Sequence, residues 1–119
     1  MSHPVVWFEV LGKDGEKLQR FYGELFNWKL QIDNPLNYGM VDTGAGRGIP
    51  GGVGPVFEGT RSWVTFYVET PDIDASLARA EKLGGKTLLP RKTMANTTLA
   101  FFEDPEGHII GLVEPMKNA

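Results

Sequence analysis

The chain alternates between apolar and polar positions at two periods, and the switches between them mark its elements. Residues 4–10, PVVWFEV, alternate with a period of two: Val6, Phe8 and Val10 share one face of a strand, and Val5, Trp7 and Glu9 the other. The period then changes. Leu18, Phe21, Tyr22, Leu25 and Phe26 fall on one stripe of a helix, with Asp14 placed to cap its start. Residues 28–33 and 38–43 read as strands separated by the turn pair Asn34-Pro35. The glycine-rich run 44–55 reads as a loop with a short distorted strand at 51–53.

The pattern then repeats. Residues 62–69, SWVTFYVE, place Val64, Phe66 and Val68 on one face and Trp63, Thr65 and Tyr67 on the other. Pro71-Asp72 opens a helix carrying Ile73, Leu77 and Ala80 on one side, and Gly84-Gly85 ends it. Strands are predicted at 86–89, 97–103 and 108–114. The last two are joined by a hairpin turn, Asp104-Pro105-Glu106-Gly107, in which Pro and Gly suit the backbone the turn needs. An offset of 58 sets Val6 on Val64, Phe8 on Phe66, Asp14 on Asp72 and Leu30 on Leu88. The chain therefore reads as β-α-β-β-β twice, about 4–56 and about 61–115, within a single domain spanning 1–119.

Composition narrows the function classes. The chain of 119 residues carries a net charge of −3, which offers no attraction to nucleic acid or an acidic membrane. It has no cysteine, which excludes disulfides, thiolate metal sites and cysteine nucleophiles. No apolar run approaches the roughly 20 residues of a membrane span. The first residues lack the pattern of a secretory leader. A cytoplasmic protein is the expectation.

The two-faced strands suggest an architecture. Each four-stranded sheet offers its valine-rich face to its own helix. The second faces, carrying polar and aromatic residues, can pair into a cup, and a cup lined in that way suits a small molecule. The fold class expected is α+β, with a cup-shaped, partly closed sheet and one helix outside each module.

FYGELFNWKL at 21–30, the opening of the second half, the helix ending in LGG at 83–85 and FFEDPEGHIIGLVE at 101–114 carry a further signal. Together they resemble the glyoxalase/bleomycin-resistance/extradiol-dioxygenase superfamily, the vicinal oxygen chelate proteins. The resemblance implies metal ligands, usually His, in the opening strand of each half, and ligands, usually Glu, in the last strand of each half. The corresponding positions here are Val5, Trp63, Gly52 and Gly111, with Trp7 the next inward candidate in the first strand. None of these can donate a side-chain oxygen or imidazole nitrogen to a divalent ion. Neither a metal nor a cofactor is expected. The resemblance also implies a homodimer.

The inward faces then supply the site candidates. Trp7, Trp63, Thr65 and Tyr67 form an aromatic and hydroxyl wall for a small-molecule ligand, or else the two indoles plug the cup. Glu9 is the catalytic candidate, a carboxylate beside an indole, with a solvated or ion-paired rim residue as the other reading. His108 reads as a turn residue and Arg91-Lys92 as solvated surface. The run 44–54 lacks the Gly-Lys-Ser/Thr ending of a phosphate loop and reads as a flexible lip. Three functions fit: a metal-free binding protein for a partly aromatic molecule, a metal-dependent enzyme of the glyoxalase type with unexpected donors, and a metal-free acid–base enzyme using Glu9.

Overall fold

The computed structural model describes residues 2–94 and 96–115. The chain divides into two compact units. One runs from Trp7 to Val64; the other joins the first residues, up to Val6, to the chain from Thr65 onward. The elements follow the duplicated order: β1 (Val5–Gly12), α1 (Gly15–Phe26), β2 (Lys29–Gln31), β3 (Gly39–Asp42) and β4 (Gly51–Pro55), then β5 (Trp63–Glu69), α2 (Ile73–Lys82), β6 (Lys86–Met94), β7 (Thr97–Glu103) and β8 (Ile109–Val113). The described residues form an α+β fold of two helices and eight strands.

In the first half the strand order is β2-β3-β4-β1, and in the second β5-β8-β7-β6. β1 pairs with β4 in parallel, as β5 does with β8, and the remaining pairs within each half are antiparallel. Both helices start where an aspartate caps them: Asp14 accepts from the Lys17 amide and Asp72 from the Ala75 amide, each at 3.0 Å. α1 stops at Asn27, whose left-handed backbone closes the last turn. In the hairpin between β7 and β8, the Gly107 amide donates to the Asp104 carbonyl at 2.9 Å.

β6 is longer than the pattern predicts, reaching Met94 instead of stopping at 89. It passes through Pro90 because, among the described strands, it stands at the end of the order and pairs with β7, and register shifts between Thr87 and Lys92 absorb the missing amide.

Packing departs from the expected helix-facing stripes in both halves. Phe8 does lie on the helix side, 5.4 Å from the Trp28 ring. Yet the residues α1 buries are Gly15 and Gln19. The Gln19 amide donates to the carbonyls of Asn37 and Val53, both at 2.8 Å, and so ties the helix to β4 through polar bonds. Phe21 and Leu25 of the apolar stripe remain 57% and 58% exposed. In the second half Ile73, Leu77, Ala100 and Leu112 form a core against which Val68 and Phe102 pack. Of the three β5 residues expected beneath α2, only Val68 takes that place. Phe66 is 40% and Val64 78% exposed, and within its own unit α2 lies against β6 and β7.

Candidate functional site

The period-two reading of β1 holds at the residues that matter. Trp7 and Glu9 share a face, and the parallel register sets Glu9 opposite Gly52 of β4. Tyr38 stands just before β3, which pairs antiparallel with β4. Its ring runs along β4 and reaches Glu9, where the phenol donates to Oε2 at 2.9 Å. The Trp7 indole donates to the Tyr38 oxygen at 2.8 Å. The Trp63 indole donates to Glu9 Oε1 at 2.8 Å. Four side chains thus form one hub, with a carboxylate at its centre that is only 1% exposed.

The local chain holds Tyr38 in place. The Asn34 side chain accepts from the Tyr38 amide at 2.9 Å and donates to the Tyr38 carbonyl at 2.6 Å. The Phe57 ring meets the Tyr38 ring edge-on at 6.3 Å. Gly52 is what lets the ring lie flat: a Cβ there would stand 1.8 Å from the phenol oxygen. Burial, with the Glu9 carboxylate beside it, raises the Tyr38 phenol far above the usual tyrosine value, and the Trp7 N–H opposes this only in part. The phenol therefore stays protonated, as a donor to Glu9 must.

Trp7, Glu9 and Trp63 are brought together as their strand phases predict. Glu9 is neither a solvated rim residue nor one facing only water; it is buried among N–H and O–H donors. Thr65 and Tyr67 lie in the other unit, where each is engaged. The Thr65 hydroxyl donates to the Ile109 carbonyl. The Tyr67 ring is buried edge-on to Phe101 at 5.5 Å, over Gly111. Two surface concavities lie away from the hub. One, of about 440 Å³, adjoins the start of α1 beside Lys13, Leu18, Phe21 and Tyr22. The other, of about 170 Å³, lies in the glycine-rich loop around Arg47.

Sequence reading missed Tyr38. The available signal was the glycine cluster of β4: glycine inside a strand marks a close approach, and here a tyrosine ring is what approaches. Arg91 is exposed, as expected of a surface residue, and there it forks onto Glu114, with Nε donating at 3.0 Å and Nη2 at 3.4 Å. His108 is an exposed turn residue, and its Nδ1 lies 2.9 Å from Asp104 Oδ2.

The donor set can be tested against the divalent ion that the fold family implies. At Gly52 and Gly111, where the resemblance implies carboxylates, the space beside the backbone holds the Tyr38 and Tyr67 rings. A Cβ at Gly111 would stand 2.5 Å from the Tyr67 ring. The two Glu9 oxygens accept hydrogen bonds from the Tyr38 phenol and the Trp63 indole, so both already face donor hydrogens where a cation would have to approach. These residues do not fit a divalent metal. No cluster of three or more His, Cys, Asp or Glu that could hold one occurs among the described residues. Nor is any described helix long and apolar enough to cross a membrane.

Comparison with known proteins defines the class. A glyoxalase-like domain matches residues 8–113. A glyoxylase-like domain-containing protein of Didymella fabae is 30% identical in an alignment of 108 positions that covers 84% of each chain. A glyoxalase/bleomycin resistance protein/dioxygenase superfamily member from Vibrio splendidus 12B01 superposes with a TM-score of 0.65 at 17% identity, over 96% of this chain and 100% of that one. Methylmalonyl-CoA epimerase from Mycobacterium tuberculosis does so with a TM-score of 0.66 at 16% identity, over 95% and 88%. At such identities the solved structures share the fold alone. The chain belongs to the glyoxalase-like domain family.

Proposed function

We propose that this protein binds a small, partly aromatic molecule without a metal, using Trp7 and Trp63 as its contact surface. The observation that supports this is the tethering of both indoles. Each donates its N–H into the Glu9–Tyr38 pair, so both rings are fixed at one edge while remaining only half buried. Rings fixed before binding lose little entropy when a flat ligand stacks on them. Thr65 and Tyr67 are spent on contacts within their own unit, so the reading rests on the two indoles.

Glu9 enters first as the anchor of this surface. A second reading, in which Glu9 acts as an acid or base through the Tyr38 hydroxyl, is favoured by the unbroken line of hydrogen bonds from Trp7 through Tyr38 to Glu9. Glu9→Gln separates the two: loss of turnover with retained binding favours catalysis.

The test of binding is a tryptophan-fluorescence and thermal-shift screen against aromatic metabolites. Saturable quenching in the native protein, lost in Trp63→Leu, supports the proposal. Elemental analysis of purified protein tests the metal-free state, since a stoichiometric zinc, nickel, manganese or iron content would refute it. We further propose a cytoplasmic homodimer, supported by the absence of cysteine and the exposed Phe21 and Leu25 on α1. A monomer in sedimentation equilibrium would remove that part.

A further inference from the structure

The hub holds the Tyr38 phenol at its hydroxyl proton, its oxygen, its face and its edge. Glu9 Oε2 accepts the hydroxyl proton at 2.9 Å, and Trp7 Nε1 donates to the oxygen at 2.8 Å. Gly52 leaves a floor with no side chain beneath the ring, and Phe57 meets the ring edge-on. These features answer the donor, the acceptor, the flat face and the edge of a hydroxylated arene in turn. Tyr38 keeps a partly exposed side, while its acceptor Glu9 is sealed. Its backbone amide and carbonyl are both tied to Asn34, so a change of side-chain rotamer leaves the backbone in place.

We propose that the ligand is a phenol whose hydroxyl takes over the position of the Tyr38 hydroxyl between Glu9 and Trp7, with Tyr38 swinging outward as an internal competitor. This rests on the binding proposal above and adds the ligand class and the device that closes the site. An ether or an unsubstituted arene can stack on the indoles but cannot give Glu9 a proton. The lost hydrogen bond to a buried carboxylate sets the difference.

The test is calorimetric and fluorescence titration of the native protein, Tyr38→Phe and Glu9→Gln with p-cresol, 4-methylanisole and toluene. p-Cresol should bind the native protein at least about tenfold more tightly than 4-methylanisole, the discrimination expected of a hydrogen bond to a charged acceptor. Tyr38→Phe removes the competing hydroxyl and should tighten p-cresol further, because the receptive state becomes more populated. Glu9→Gln should bring the preference down towards unity. Equal binding of all three compounds would overturn the phenol assignment and leave aromatic binding standing. Binding of none would overturn both. p-Cresol binding confined to Tyr38→Phe would show that the native ring is never displaced, and would overturn the inference. If Tyr38→Phe does not fold, the native ratio of p-cresol to 4-methylanisole decides alone.

Discussion

The Tyr38 ring lies across Gly52 so closely that the phenol oxygen stands 1.8 Å from where a Cβ of that residue would be. The pair decides what this side of the sheet can hold. Glycine on β4 admits the ring, and the ring brings the donor that Glu9 needs.

Gly52→Ala should therefore expel the ring from its bed. Side-chain overpacking of this kind costs about 1–3 kcal/mol, and the lost phenol bond adds to it. Urea unfolding should show the drop, and Trp63 and Trp7 emission should shift as their tethers loosen. An unchanged midpoint and spectrum would mean that the ring does not lie there.

Removing only the hydroxyl gives a cleaner measure. Tyr38→Phe keeps the ring but removes its hydrogen bond to Glu9 Oε2. A bond to a buried carboxylate contributes about 1.5–3 kcal/mol, and that is the loss expected in denaturant unfolding. Trp7→Phe, which removes a donor to the neutral phenol oxygen, should cost less through hydrogen bonding than Tyr38→Phe.

The same phenol sets an alkaline limit. Its folded pKa is raised above the ordinary 10.0. The stability this gives is complete below the unfolded pKa and falls as pH climbs above about 10, where the unfolded chain ionises more readily. Tyr38→Phe should flatten the alkaline limb of a stability–pH profile, and an identical limb in both proteins would count against the burial of the hydroxyl.

At the other end of the scale, Asp104 is lowered by the backbone amide and ring of His108 and by the Glu106 amide. A carboxylate of depressed pKa contributes above its unfolded value of 3.8 and loses that contribution as pH falls through the folded value. Asp104→Asn should shrink the acid limb, read by thermal unfolding below about pH 4.

A pair of alanine substitutions checks where α2 lies. Ile73→Ala removes a residue of the second-half core that is fully buried and should cost about 2–5 kcal/mol. Val64→Ala, at a position 78% exposed, should stay within about 0.5 kcal/mol. A large loss at Val64 would place a covering surface over the start of β5.

The helix caps, the DPEG hairpin and the doubled β-α-β-β-β order were all legible in the chain, because each depends on residues within a few positions of one another. Asp14 and Asp72 cap amides three residues on, and Asp104 turns the chain onto His108. The facing of Trp7, Glu9 and Trp63 was legible for a related reason: a strand fixes parity over any length. Which residue met them was not. Tyr38 lies 29 positions from Glu9, and its contact depends on the register of β3 on β4 and of β4 on β1. Hydrophobic pattern misled where a polar side chain took over packing, as Gln19 did for α1.

The sequence by itself determined the elements, their repetition, the side of each strand that a residue faces, and the want of ligating side chains at Val5, Gly52, Trp63 and Gly111. Only the tertiary structure decided that Glu9 is sealed, that Tyr38 and Trp63 donate hydrogen bonds to it while Trp7 donates to Tyr38, and that Gly52 makes room for the ring. The physical reason is that periodicity fixes a direction from the backbone alone, whereas a hydrogen bond needs two chain segments set in register within about 3 Å.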